Sequence, residues 1–138
     1  MIPYEQVSDV TAEAGIRLRA PSLEELFCGA LLATFNEITE LSKVEPKEEK
    51  TLEVTGVMPF LLADLINAAL LLHERDKFVP RSCEVLELTP EKVKVKLKGE
   101  RFDPSRHEPK TVIKAATYYR LRVEKKDGEY EAEVIFDV

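Results

Sequence analysis

The chain has 138 residues, 44% hydrophobic and 33% charged, a balance typical of one folded domain (residues 1–138) rather than a disordered or fibrous protein. Its 26 acidic and 20 basic residues give a formal net charge of -6. This charge argues against an autonomous nucleic-acid binder, because phosphate neutralisation needs a basic surface, so we expect any link to RNA to be indirect.

Charged residues interrupt the first 20 positions, which therefore lack the basic start and apolar stretch of a signal peptide. The apolar segments at residues 26–35 and 60–72 are shorter than a membrane span. Cys28 and Cys83 are far apart in the chain and form no metal-type pair. We therefore predict a cytoplasmic protein without membrane contact, in which both cysteines are buried free thiols.

The first half of the chain predicts two strands, each followed by a helix. Residues 14–20 alternate apolar and charged side chains, as in a strand with one wet face. Ser22 and Glu25 then form an S-x-x-E capping box, and apolar residues follow at helical spacing as far as Ile38. A strand at 51–57 precedes a second helix over about 59–76, which is apolar nearly all round and belongs in the core.

Four β-like stretches follow, at residues 83–88, 92–98, 111–124 and 129–138. The Asp127-Gly128 turn predicts that the last two form a hairpin. Strands at both ends with two long helices between them indicate a single α+β domain. We expect an antiparallel or mixed sheet with the two helices packed on one face.

One face of the strand at 92–98 is a row of lysines: Lys92, Lys94, Lys96 and Lys98. Such rows commonly protect a sheet edge from aggregation, and we expect an edge strand here. A contact with an RNA backbone is the alternative, although the aromatic platform of single-strand binders is missing from this stretch.

Familiar catalytic patterns do not occur in the sequence. The five glycines never cluster into a phosphate-binding loop, and no serine lies in a G-x-S-x-G setting. His73 and His107 are the two histidines, and we expect His73 to have a structural or solvent-facing role.

Motifs near the N-terminus carry a family resemblance. Residues 4–5 read Tyr-Glu, residues 10–16 read Val-Thr-Ala-Glu-Ala-Gly-Ile, and residues 22–27 read Ser-Leu-Glu-Glu-Leu-Phe. These stretches resemble the Tyr-Glu strand, the His-Thr-Ala-Asp-(Val/Ile)-Gly-Ile motif and the helix start of the archease family, in register and without gaps. The chain departs from that motif at Val10 and Glu13, where the family has His and Asp.

The second half continues the resemblance. Gly99-Glu100, Asp103 and Arg106-His107 match a family pattern, and residues 113–119 read Ile-Lys-Ala-Ala-Thr-Tyr-Tyr where the family usually ends in His. Residues 134–138 read Val-Ile-Phe-Asp-Val and match the family's hydrophobic-Asp-hydrophobic terminus. The resemblance spans nearly the whole chain and implies the α+β archease fold.

The resemblance also implies a site for a divalent metal ion, held by Glu13 and Asp137 with the main chain of Val138. Oxygen donors of these kinds suit calcium in flexible geometry, whereas zinc would need His or Cys ligands nearby. The alternative is that Glu13 is a solvated residue beside a strand and Asp137 part of a frayed terminus.

Arg106 and His107 lie in a loop marked by Pro104 and Pro109, and the family has a functional basic residue at the position of Arg106. Archeases activate an RNA ligase, and the resemblance implies that Arg106 and His107 contact this ligase. Arg106 would pair with an acidic group of the ligase or with a guanylate phosphate. An exposed ion pair between Arg106 and Asp103 is the alternative, and His107 could be a capping or loop-packing residue.

By resemblance, the protein is an accessory factor and not an enzyme. It would promote guanylylation and multiple turnover of an RtcB-type RNA ligase in tRNA splicing, with calcium as the expected metal. Two alternatives stay open: a small metal-dependent enzyme that uses the same carboxylates on a bound water, and a divergent interaction module without a working metal site.

Overall fold

Two helices and eight strands make up the described part of the chain, which in this computed structural model comprises residues 2–7 and 14–138. The strands are β1 (Tyr4–Val7), β2 (Ala14–Ala20), β3 (Glu48–Thr55), β4 (Phe78–Thr89), β5 (Lys92–Arg101), β6 (Ala115–Ala116), β7 (Arg122–Lys126) and β8 (Glu129–Asp137). The helices are α1 (Leu23–Ile38) and α2 (Phe60–Asp76), and a short 3₁₀ turn spans Leu41–Lys43. The predicted α+β class is confirmed.

The strands form two antiparallel sheets, where the sequence predicted one. The larger sheet has the order β1-β2-β8, and both β6 and β7 pair with the far side of β8. The smaller sheet has the order β3-β5-β4. The predicted hairpin around Asp127-Gly128 is confirmed as β7 and β8, with Gly128 at a φ of 81°.

The capping box defines the start of α1. Ser22 Oγ accepts a hydrogen bond from the backbone N–H of Glu25 at 3.1 Å, which satisfies a donor that the helix leaves unpaired. Helix α2 starts at Phe60 and ends before Lys77, whose φ of 61° takes the chain out of the helix. Both helices were predicted to within a residue or two of these bounds.

The core lies between the helices and the inner faces of the two sheets. Helix α1 packs on β2, β4 and β8, and α2 packs on β3 and β6. The largest fully buried side chains include Phe27, Phe35, Phe136, Leu62 and Leu97. Burial of each such side chain stabilises the fold by roughly 1.5–3 kcal/mol. Because the helices pack on strands of both sheets, this common core joins the two sheets into one domain.

The predicted strand at 111–124 is wrong as a continuous element. Only β6 and the start of β7 fall within it, and both strands pair with β8. The chain leaves the ladder after Ala116, where the N–H and the hydroxyl of Thr117 both donate to the Ile135 carbonyl at 2.8 and 2.9 Å. It rejoins β8 at Arg122, which lies opposite Glu133. Since Ala116 lies opposite Phe136, the segment advances six residues while β8 advances three, and the extra residues loop out, with Arg120 at a φ of 56°.

The lysine row was wrongly assigned to an edge, since β5 is the central strand of the smaller sheet. Val93, Val95 and Leu97 bury one face of β5, and the lysines occupy the other. Glutamates on the flanking strands pair with two of them: Lys92 lies 3.3 Å from Glu53 and 3.4 Å from Glu87, and Lys96 lies 3.4 Å from Glu84. The row is therefore half of a mixed-charge surface rather than a basic stripe.

The prediction of free thiols is also wrong, because Cys28 and Cys83 form a disulfide with Cα atoms 5.4 Å apart. The bond joins α1 to β4, two elements that only the tertiary fold brings together. Within the described residues, no helix is long and apolar enough to cross a membrane.

Candidate functional site

The C-terminal end of β8 carries two of the three predicted metal ligands. Asp137 is exposed, and Val138 is 40% exposed. The carbonyl of Asp137 accepts a hydrogen bond from the Lys114 N–H at 2.8 Å, which fixes the backbone at this end of the strand. None of the residues that the structure describes forms a hydrogen bond or ion pair with the Asp137 carboxylate.

Glu13, the third predicted ligand, lies outside the described residues. The next residue, Ala14, begins β2 and pairs with Phe136, the neighbour of Asp137. Within residues 2–7 and 14–138, no group of three or more His, Cys, Asp or Glu side chains could hold a metal. The exposed Asp137 carboxylate is a hard oxygen donor, which is the kind of ligand that Ca²⁺ accepts, so the chemistry of this one residue fits a calcium ion. The ligand set stays a prediction.

A second cluster surrounds the buried carboxylate of Glu100. This residue lies near the end of β5 and is 4% exposed. It pairs with the Arg106 guanidinium, and its Oε2 accepts a hydrogen bond from the backbone N–H of Glu45 at 2.7 Å. Burial on its own would raise the pKa of Glu100. The hydrogen bonds from Arg106 and Glu45 and the nearby charges outweigh burial and lower the pKa from 4.5 to about 2.

His107 is fully buried beneath this cluster. Its Nδ1 accepts a hydrogen bond from the Asp103 N–H at 2.9 Å, so the ring proton lies on Nε2. Nε2 then donates to Glu100 Oε2 at 3.2 Å. The neutral ring therefore links the loop backbone to the buried carboxylate.

Arg106 lies at the mouth of the cluster, with 37% of its side chain exposed. Its guanidinium bridges Glu100 and Asp103, where Nε lies 3.4 Å from Oδ2. The anticipated pair with Asp103 therefore forms, and the buried partner Glu100 was missed. The hydrogen bond to Glu100 raises the pKa of Arg106 further, so the cation is permanent at neutral pH.

The prediction that both Arg106 and His107 contact a ligase needs a correction at His107. A side chain with no exposed surface has no direct access to a partner in this conformation. Its packing against Phe102, with ring centroids 5.6 Å apart, agrees with the loop-packing alternative. Contact through Arg106 stays a prediction.

Sequence reasoning missed an ion-pair network on the larger sheet. Glu133 pairs with Arg17 at 2.7 Å and with Arg120 at 3.1 Å. Glu131 pairs with Arg19 at 2.8 Å and Arg122 at 2.6 Å. The hydrogen bonds from Arg19 and then Arg122 lower the pKa of Glu131 to about 2. The signal was the matched i, i+2 spacing of Arg17 and Arg19 against Glu131 and Glu133.

Of the structural and solvent-facing roles expected for His73, the structure supports the structural one. Its Nδ1 donates to the Phe78 carbonyl at 3.0 Å, and the ring meets Phe35 edge-on at 5.7 Å. Burial lowers its pKa, so the ring is neutral at pH 7.

The protein is a single α+β domain of two antiparallel sheets and two helices, and comparisons with known proteins identify its family. The model of the Archease protein family matches residues 4–138. The protein archease of Pyrococcus abyssi is 39% identical over 133 residues, covering 93% of this chain and 94% of the relative.

Two solved structures share the fold. The solution structure of protein 1598 from Methanobacterium thermoautotrophicum aligns with a TM-score of 0.80 at 30% identity, covering 98% of each chain. The crystal structure of an archease, described as a possible chaperone, from Thermotoga maritima has a TM-score of 0.66 at 20% identity and full coverage of both chains. The chain belongs to the Archease family.

Proposed function

We propose that this protein is a cytoplasmic accessory factor that activates an RtcB-type RNA ligase in tRNA splicing, by promoting guanylylation of the ligase and its multiple turnover. The observation that carries the proposal is the match to the Archease family from residue 4 to residue 138. The protein acts on the ligase and is not itself the enzyme.

The proposed metal site lies at the end of β8, with Glu13, Asp137 and the main chain of Val138 as ligands. Asp137 supports it, because this carboxylate is exposed, has no partner among the described side chains and lies beside the start of β2. Calcium, when bound there, would supply a fixed divalent charge. The ladder between β2 and β8 pairs Ala14 with Phe136, the neighbour of Asp137.

Arg106 supplies the second charge of the proposed mechanism. Its guanidinium is held by Glu100 and still keeps a third of its side-chain surface exposed. A positioned, permanently charged guanidinium suits a carboxylate of the ligase or a phosphate of the guanylate. We propose that Arg106 makes this contact while His107, from within the loop, keeps Glu100 in place.

RNA would be reached only through the ligase. The net charge is -6, and glutamates pair with Lys92 and Lys96 of β5. A surface of mixed sign does not neutralise a run of phosphates. The charge pattern therefore supports a protein partner rather than direct RNA binding.

The test is guanylylation of the cognate ligase under multiple-turnover conditions, with and without this protein. We expect faster turnover that is lost in Asp137→Asn and in Arg106→Ala. Glu129→Gln, at the other end of β8, and Arg75→Ala, at the exposed end of α2, are matched controls that should keep the activity. Absence of any effect from the intact protein would overturn the proposal.

Two other results would point to the alternative functions. Substrate turnover by this protein alone, lost in Asp137→Asn, would indicate a metal-dependent enzyme. Metal-independent binding of the ligase without activation would indicate an interaction module.

A further inference from the structure

An exposed aromatic pair lies at the start of α2. Phe60 and Tyr118 are 39% and 54% exposed, and their ring centroids are 4.6 Å apart with the planes inclined at 52°. The neighbouring residues Val57 and Tyr119 are also exposed, at 57% and 58%. Exposed aromatic side chains are enriched where proteins bind partners.

A carboxylate borders the pair. Asp64 lies one turn after Phe60 on α2, so both side chains share one face of the helix. The Tyr118 hydroxyl donates to Asp64 Oδ1 at 2.5 Å, and this bond raises the pKa of Tyr118. The bond ties the exposed ring to the helix.

Gly56 leaves room for the second oxygen of Asp64. A Cβ at this position would lie 2.9 Å from Asp64 Oδ2 and 3.6 Å from Leu61. The backbone of Gly56 does not have the positive φ that demands glycine, so space is the reason for the residue. Among the residues that the structure describes, none donates a hydrogen bond to Asp64 Oδ2.

The backbone around Tyr118 is fixed before any partner arrives. Asn67 bonds both the N–H and the carbonyl of Ala116, at 2.7 and 3.0 Å. Thr117 is bonded twice to the Ile135 carbonyl, and the Leu121 N–H donates to the Tyr118 carbonyl at 3.2 Å. A surface ordered in advance loses less entropy on binding.

We propose that Phe60, Tyr118 and Asp64 form a receptor for one cationic side chain, an arginine or a lysine, of a partner protein. The ring faces attract a cation, and Asp64 Oδ2 offers it a carboxylate oxygen. The same carboxylate repels phosphate, which selects a protein over RNA. The identity of the partner, the RtcB-type ligase, rests on the proposed function.

The receptor is tested first without the ligase. N-acetyl-arginine amide is titrated into ¹⁵N-labelled protein, with N-acetyl-glutamine amide as the neutral control. We expect arginine-specific shifts at Gly56, Asp64 and Tyr118. These shifts should vanish in Asp64→Asn, which keeps an acceptor for Tyr118 but removes the charge. They should also vanish in Gly56→Ala, whose Cβ would displace Asp64 Oδ2 from its position. Equal shifts with both probes would overturn the proposal.

The second arm measures binding of the ligase by calorimetry. We expect Asp64→Asn and Phe60→Ala each to weaken binding about tenfold. Leu86→Ala is the matched control, because Leu86 is 47% exposed on β4 of the other sheet. The affinity of this variant for the ligase should not change. Unchanged affinity in both receptor variants would overturn the proposed docking surface.

Activation of the ligase separates the two proposals. If the intact protein activates the ligase and the receptor variants bind it normally, the receptor is wrong and the proposed function stands. If arginine amide binds at Asp64 but no ligase is bound or activated, the proposed function is wrong and the receptor stands.

Discussion

The buried carboxylate of Glu100 accepts a hydrogen bond from Nε2 of His107, 3.2 Å away, and thereby fixes the position of the Arg106 loop. His107 is fully buried and its Nδ1 is bonded to the backbone of Asp103. Glu100 is therefore the point at which the end of β5, the loop and the exposed arginine are joined. The contact proposed for Arg106 depends on this carboxylate.

Glu100→Gln removes the buried charge while keeping the side-chain shape. We expect a loss of about 2–4 kcal/mol in the free energy of unfolding, because Arg106 and the Glu45 N–H lose an ionised acceptor. Urea denaturation measures it. Glu124→Gln, which breaks an exposed pair with Arg122, is the control and should change stability by less than about 1 kcal/mol. Equal effects of the two variants would show that the buried cluster contributes no special stability.

Acid should unfold the protein through two carboxylates. The pKa values of Glu100 and Glu131 are lowered to about 2 in the folded chain. A lowered pKa stabilises the folded state above the unfolded value of 4.5, and that stabilisation is lost as the pH falls from 4.5 towards 2. Thermal unfolding between pH 7 and 2 measures it. We expect Glu131→Gln to flatten this dependence, and a slope identical to that of the intact protein would contradict the assignment.

The disulfide should contribute to stability through the unfolded state. Cys28 and Cys83 close a loop with a sequence separation of 55, which corresponds to about 4 kcal/mol in the chain-entropy estimate. Reduction with dithiothreitol should lower the melting temperature by roughly 10 °C. The double variant Cys28→Ala/Cys83→Ala should melt at the lower temperature with or without reductant. A melting temperature of the intact protein that reductant does not change would contradict this contribution.

The sequence predicted the helices well because their signals are local. The Ser22 to Glu25 capping box and the apolar spacing of α1 and α2 are properties of neighbouring residues. The disulfide and the central position of β5 depend on residues far apart in the chain. The period-2 pattern of the lysines describes a face of a strand, and does not say which strands lie beside it.

The candidate site also combines features that the sequence indicated with features that only the fold reveals. The resemblance indicated Asp137 and Arg106 as functional residues, and the structure places both side chains at the surface. The resemblance did not indicate the buried hydrogen bond between Glu100 and His107, because that contact depends on how the loop folds back on β5. The exposed pair of Phe60 and Tyr118 was missed for the same reason, since only the tertiary fold brings the start of α2 to the segment between β6 and β7.

Calcium should stabilise the intact protein. A ligand that binds only the folded state at about 100 times its dissociation constant adds about 2.7 kcal/mol to the free energy of unfolding. We expect calcium to raise the melting temperature of EDTA-treated protein, and Asp137→Asn to abolish the increase. Glu129→Gln, on the same strand, should retain it. An equal increase of the melting temperature in Asp137→Asn would show that calcium binds at another site.

Asn67→Ala should loosen the segment that carries Tyr118. The Asn67 amide bonds both backbone polar groups of Ala116, and Ala116 is 5% exposed, so the substitution leaves two largely buried groups unpaired. We expect a loss of about 2 kcal/mol in the free energy of unfolding and a broadened Tyr118 ring signal in NMR. Asn67→Asp keeps the acceptor for the Ala116 N–H but loses the donor to its carbonyl, and should give a smaller loss. A sharp Tyr118 signal in Asn67→Ala would show that the Asp64 bond alone holds the ring, because the anchor at Ala116 would then contribute nothing to its order.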